Sequence, residues 1–217
     1  MIAAIVPAKA LDHAKGRLAE ILTEHERRSL SLVMLSDVLK ALHSARSIER
    51  VFVVSPDHEI LRDADRFGAE GIAQPPSLSG INEALKHAGR VISLESPSAL
   101  FVLLGDVPAV SPAEIESIIA ALPSDVGAVI CPSRAEGTSA LALRPPDAMD
   151  FRFGPGSFAQ HEHEASARSV PLTTIRLDSL LHDIDEPEDL RYLLSHAAET
   201  ATHRLLAEMR VGERLEA

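Results

Sequence analysis

A chain of 217 residues with 21 Lys and Arg against 32 Asp and Glu carries a formal charge of −11, which works against a broad nucleic-acid surface but leaves room for a locally positive pocket that takes a small anion. With 46% hydrophobic and 24% charged residues, it falls among globular chains able to bury one core without metal or disulfide staples. No apolar run reaches the roughly 18 residues of a membrane span, MIAAIVPAKA is too briefly apolar for a secretory signal, and a single cysteine, Cys131, fits a cytoplasmic setting.

Residues 2–6 form a short apolar run ended by Pro7 and read as the first strand. A basic loop over 8–19 runs into a short turn. Thr23 with Glu26 spells a capping box, opening a helix whose apolar stripe includes Leu30, Val33, Met34, Val38 and Leu42. A second strand is predicted over 51–54, a short helix over 58–67 and a weak strand over 68–73. Ser79 is expected to cap a helix that begins at Gly80-Ile81-Asn82 and runs to about residue 88. Residues 100–104 show no polar alternation and read as a buried strand, which ends abruptly at Gly105-Asp106-Val107-Pro108.

Ser111, Pro112 and Glu114 spell the next helix start. Two further strands are predicted over 128–131 and 139–143. The glycine-bearing loop 151–157 leads into a helix that ends near residue 167, with Ser157 and Gln160 expected to form its capping box. The last main strand is predicted over 173–177, and Pro187 begins a helix through residue 194. This alternation predicts an α/β fold, a largely parallel sheet covered on both faces. One domain over 1–198 is expected, succeeded by a helical tail over 199–217. Leu205, Leu206 and Met209 in the tail are spaced to pack back on the domain or to meet a second copy, so a homodimer stays open.

In open α/β sheets ligands lie beyond the carboxyl ends of the strands, and four segments there carry chemistry. Lys9, Lys15 and Arg17 put three cations after the first strand, suiting a polyphosphate or forming a solvated basic loop. Asp106, after the buried strand, is placed for a hard cation or for bonds within its own turn. Asp183 and Asp185, two apart in extended chain, face one side while Ile184 faces the core, and two adjacent acids invite a cation. Asp185 with Glu188 also matches a helix cap around Pro187. Gly154, Gly156 and Ser157 allow close backbone approach at a helix start, a natural place for a phosphate or carboxylate. His161 and His163 do not share a helical face and make a poor metal pair, and Cys131 in an apolar strand reads as packing.

These segments, in this order, resemble the guanylyltransferases of deazaflavin coenzyme F420 biosynthesis. The likeness rests on IVPAK with KGRLA, on Gly80-Ile81-Asn82, on Asp106-Val107-Pro108, and on FRFGPGSFAQH with DIDEPEDL. The resemblance implies a three-layer α/β/α sandwich with a mostly parallel, Rossmann-like sheet of the nucleotide-diphospho-sugar transferase type. It implies transfer of GMP from GTP to the phosphate of phosphoenolpyruvate or 2-phospho-L-lactate, with release of pyrophosphate.

Carried onto this chain, the resemblance gives Lys15 and Arg17 to the nucleotide phosphates, assisted by Pro7 and Lys9, and puts Gly80 and Asn82 beside the guanosine. Mg2+ falls to Asp106, Asp183 and Asp185, so that Lys15, Arg17 and Asp106 form the expected catalytic set. The phosphorylated acid falls to Thr138, Gly154, Gly156 and Ser157. Ser139 departs from the family pattern, which has asparagine or aspartate there, close to the expected acceptor region. Other nucleotidyltransferases of this fold, acting on 3-phosphoglycerate, a molybdopterin or a sugar phosphate, and a non-catalytic nucleotide-binding domain are the alternatives.

Overall fold

Strand β1, Ile2–Pro7, sends Ala3 and Ile5 to one side and Ala4 and Val6 to the other, and all four are fully buried. A strand buried on both faces requires a layer of helices above and below its sheet. The computed structural model describes residues 1–134 and 136–216, with His13 described by its backbone alone.

Along the chain come α1 (Glu24–Ser44), β2 (Arg50–Ser55), α2 (His58–Arg66), β3 (Glu70–Ala73), α3 (Ile81–Ser93), β4 (Ala99–Leu103) and α4 (Pro112–Ala120). Then come β5 (Gly127–Pro132), β6 (Thr138–Arg144), α5 (Ser157–Ala167), β7 (Leu172–Thr174), α6 (Asp178–Leu181), α7 (Pro187–His196), α8 (Ala201–Glu208) and α9 (Val211–Leu215). The strands lie in the order β3-β2-β1-β4-β6-β5-β7. All pairings are parallel except those of β6, which runs antiparallel to both β4 and β5. The expected α/β fold with a mostly parallel sheet is therefore the observed one.

Ala4, Val6, Val53, Phe101 and Leu103 pack against α1, α2 and α4. Ala3, Ile5, Val54, Leu100 and Val102 pack against α3 and the chain around Met149, Phe151 and Phe153. Truncating a wholly buried ring such as Phe101 to alanine costs about 3–5 kcal/mol. Helix α1 is buried on a second side as well. There Leu30 and Met34 join Leu18, Leu22, Ile184 and Leu190 with Leu206, Val211 and Leu215 of the tail. Asp37, on the same helix, fixes the start of α8: its carboxylate accepts from Ala201 N at 3.1 Å, Thr202 N at 2.8 Å and Thr202 Oγ1 at 2.7 Å. None of the helices among the described residues is long and apolar enough to cross a membrane.

Capping obeys local chemistry, with three corrections. The Thr23–Glu26 and Ser111–Glu114 boxes form as expected. Helix α3 is capped by Gly80 at φ 82° instead of Ser79 and extends to Ser93, because its apolar positions Leu85, Ala88 and Ile92 continue past residue 88. Helix α5 is capped by Gly156 in a left-handed conformation, and Gln160 turns back to donate to Pro155 O, so no Ser157–Gln160 box exists. At α7 the box is Glu186 with Asp189, since Pro187 takes the first helical position and puts the cap at Glu186 instead of Asp185. Strand β7 is shorter than expected, ending at Thr174, and Leu177 already caps α6.

Candidate active site

The carboxyl ends of β1 and β4 lie side by side at one edge of the sheet, and the loops leaving them meet there. After β1 the chain makes two single-turn 3-10 helices, Leu11–His13 and Gly16–Leu18, anchored by buried Leu11 and Leu18. Lys15 sits between them in the left-handed region, φ 51° and ψ 46°, with its side chain only 11% exposed. Its Nζ is 2.6 Å from Asp106 Oδ2 and 3.8 Å from Asp185 Oδ1. Arg17 Nη1 is 3.3 Å from Asp185 Oδ2 and 3.0 Å from Glu186 Oε1.

Backbone contacts hold these loops in register. Ile184 N donates to the carbonyl of Asp106 at 2.9 Å, and its side chain is wholly buried in the tail-side cluster. Asp189 accepts the backbone N–H groups of Asp185 and Glu186, which relieves Asp185 of the capping role and leaves its carboxylate to the cations. Three segments distant in sequence are thus brought to one place.

Asp106 Oδ1 is buried and lacks a hydrogen-bond partner among the described residues, a condition that costs about 1–3 kcal/mol or more for a charged group. Burial, and then the charge of Asp106, push the Asp183 carboxyl up to about 6. An orphaned carboxylate oxygen beside a second carboxyl reluctant to ionise fits a hard, oxygen-seeking cation. Among the described residues no three His, Cys, Asp or Glu side chains converge on one point. The expected set of three metal carboxylates is therefore not gathered: Asp106 and Asp183 lie together, and Asp185 faces Lys15 and Arg17.

Because β6 is antiparallel, its first residue, Thr138, arrives at the same edge as the last residues of β4, whose Leu103 pairs with Ala140. Thr138 Oγ1 lies 3.1 Å from Ser157 Oγ and 3.0 Å from His161 Nδ1, and all three side chains are buried. Gly154 at φ 128° and Gly156 at φ 63° occupy backbone conformations that a side chain would strain. The N–H groups of Ser157 and Phe158 already donate to Gly154 O and Glu136 O, which takes two of the donors expected for an anion at the start of α5.

Asn82 does not stand free beside Gly80. Its amide clamps the loop from both sides, donating to Phe153 O at 2.9 Å and accepting from Phe153 N at 2.8 Å. Gly80 itself faces open space. Pro7 closes β1, and exposed Lys9 makes no ion pair among the described residues. Ser139 Oγ donates to Leu180 O at 2.6 Å, so its departure from the family pattern joins β6 to α6. Cys131 is buried and its thiol is pushed up to about 12, as packing demands.

His161 lies against this hydroxyl pair, a contact the sequence did not announce. Judged against His163 it is a poor metal ligand, yet it stands four residues after Ser157, on the same helical face. Burial lowers its pKa to about 4, so the ring is neutral.

The profile of the family described as "Guanylyl transferase CofC like" matches residues 2–216. The chain is similar to a phosphoenolpyruvate guanylyltransferase from Sphaerobacter thermophilus, at 43% identity over 195 residues, covering 89% of this chain and 93% of that one. It is similar to a 2-phospho-L-lactate guanylyltransferase from Methanothermobacter thermautotrophicus, at 34% identity over 208 residues, covering 95% and 90%. Among solved structures, a nucleotide-diphospho-sugar transferase-type protein from Desulfovibrio desulfuricans G20 superposes with a TM-score of 0.79 at 16% identity, covering 99% of this chain and 96% of that one. The last likeness is one of fold.

Proposed function

Since the chain belongs to the CofC-like guanylyl transferase family and is a nucleotidyltransferase, we propose that it transfers GMP from GTP to the phosphate of phosphoenolpyruvate, releasing pyrophosphate, in deazaflavin coenzyme F420 biosynthesis. The observation that carries this reading is the meeting of Lys15, Asp106 and the Asp183–Asp185 stretch at the edge where Thr138 and Ser157 also lie. Phosphoenolpyruvate is preferred over 2-phospho-L-lactate because the relative of higher identity bears that name. A cytoplasmic setting, where GTP is supplied, is part of the same reading.

The acceptor is a phosphate whose second pKa is about 6, so at neutral pH it is already an unprotonated nucleophile and needs no general base. Its attack on the α-phosphorus of GTP requires two polyanions to be held in line. Lys15, restrained by Asp106, keeps a cation at the strand edge for the triphosphate, and Arg17 adds a second, more exposed one. Asp106 and Asp183 would hold Mg2+, which supplies charge neutralisation and Lewis acidity to the phosphates. Thr138 and Ser157 offer hydroxyls to the acid, and Gly154 and Gly156 let the backbone approach it. Gly80 leaves room for the base, while Asn82 acts through its grip on Phe153.

The test is incubation of the purified chain with each nucleoside triphosphate and with phosphoenolpyruvate, 2-phospho-L-lactate or 3-phosphoglycerate, reading pyrophosphate release and product mass. GTP with phosphoenolpyruvate should give the guanylylated acid at the highest rate. Faster turnover of another nucleotide or another acid would overturn the assignment.

A further inference from the structure

The loop bearing Gly154 and Gly156 begins with two consecutive backbone N–H groups, each captured by a side chain. Phe153 N donates to Asn82 Oδ1, and Arg152 N donates to His161 Nε2 at 2.9 Å. A backbone N–H can only donate, so Nε2 must be the bare nitrogen of the ring. In a neutral imidazole the proton then sits on Nδ1. That N–H is 3.0 Å from Thr138 Oγ1, which therefore accepts it.

This polarity sets the count of hydroxyl protons. Thr138 and Ser157 together own two O–H protons, and their 3.1 Å contact uses one, whichever hydroxyl donates. The second finds no acceptor on the protein among the described residues. With the opposite tautomer, Thr138 would have to donate into the ring and Ser157 into Thr138. Both protons would then be used, and an arriving anion would meet only lone pairs.

We propose that His161 is a positioning residue that, by donating from Nδ1 to Thr138, turns the Thr138–Ser157 pair into a net donor for the anionic group of the acceptor acid. This rests on the reading that the pair receives the acceptor. The ring's second bond, to Arg152 N, fixes the tautomer and at the same time fixes the start of the glycine loop. Edge-on contact with Phe153, at 5.0 Å between ring centroids, holds the imidazole in that orientation.

Two substitutions separate the ring's functions. His161→Asn keeps an N–H donor two bonds beyond Cβ, where Nδ1 stands, and loses the acceptor. His161→Gln keeps an oxygen acceptor three bonds beyond Cβ, where Nε2 stands, and loses the donor to Thr138. The KM for phosphoenolpyruvate should rise only slightly in His161→Asn, which loses the grip on Arg152 N but keeps the donor to Thr138. In His161→Gln it should rise roughly tenfold to a hundredfold, the weight of one hydrogen bond to a charged group, with the KM for GTP unchanged in both. Equal losses in the two variants, no loss in either, or loss in His161→Asn alone would overturn the proposal.

Nitrogen-15 NMR of the full wild-type chain reads the tautomer directly and does not depend on either variant folding. A proton on Nδ1 of a neutral ring supports the proposal, and one on Nε2 overturns it. Failure of the wild type to turn over any phosphorylated acid would bring down the functional reading instead, leaving the tautomer result to judge the hydrogen-bond polarity.

Discussion

Lys15 Nζ lies 2.6 Å from Asp106 Oδ2 across 91 positions of sequence, while the other oxygen of the same carboxylate has no hydrogen-bond partner among the described residues. One half of Asp106 is therefore committed and the other half is available. Asp106→Asn keeps the shape and removes the charge. It should lower kcat/KM by about 10²–10³, equivalent to about 2.7–4 kcal/mol of transition-state stabilisation, with the fold intact by circular dichroism. Near-normal turnover at saturating magnesium would exclude a metal role for this residue.

Asp183 gives a pH signature. Its carboxyl is raised by burial and by Asp106 to about 6, above the ordinary 3.8. A carboxyl raised on folding stabilises the fold fully below its unfolded value, and that contribution is lost as pH rises through the folded value. Asp183→Asn removes the titration. The variant should gain on the wild type between about pH 4 and about pH 6, by about 1–2 kcal/mol after allowance for solvent screening. Denaturant melts across that window would show it. Magnesium should close the gap at pH 7, and a pH-independent difference would contradict the shifted carboxyl.

Asn82 separates two roles by kinetics. If it acts by clamping Phe153, Asn82→Ala should release the start of the glycine loop, costing about 1–3 kcal/mol for two lost hydrogen bonds. The KM for the acceptor acid should then rise more than the KM for GTP. The reverse ratio would mean that the amide contacts the base.

Asp37 lies away from the chemistry and tests the tail. Asp37→Ala leaves three donors at the start of α8 without their acceptor. Stability should fall by about 2–4 kcal/mol, or roughly 4–16 °C in Tm for a chain of this size. The KM values for GTP and acid should be unchanged at a temperature where the variant is folded.

Much of this molecule is written in local signals. Thr23–Glu26 and Ser111–Pro112–Glu114 spell their helix starts because a cap depends on three or four neighbouring residues. The placement of Lys15 and Asp106 beyond strand ends is legible because a buried strand fixes where its exit loop emerges. Choices between near-equivalent local solutions are not legible in the same way. Gly156 outcompetes Ser157 as cap since only glycine takes the left-handed turn without strain, and Asn82 is drawn to Phe153, 71 positions away. The direction of β6 is equally hidden, since apolar alternation reads the same both ways along a strand.

That reversed strand has a consequence for how such a protein diversifies. In the proposed reading the nucleotide side is built from the exits of β1 and β4, whereas the acceptor side is built from the entrance of β6 and the loop into α5. The two halves of the reaction are thus encoded in separate stretches of gene that share a seam but few residues. On that reading a new acceptor can be acquired by changes within 138–161, with the triphosphate machinery inherited untouched.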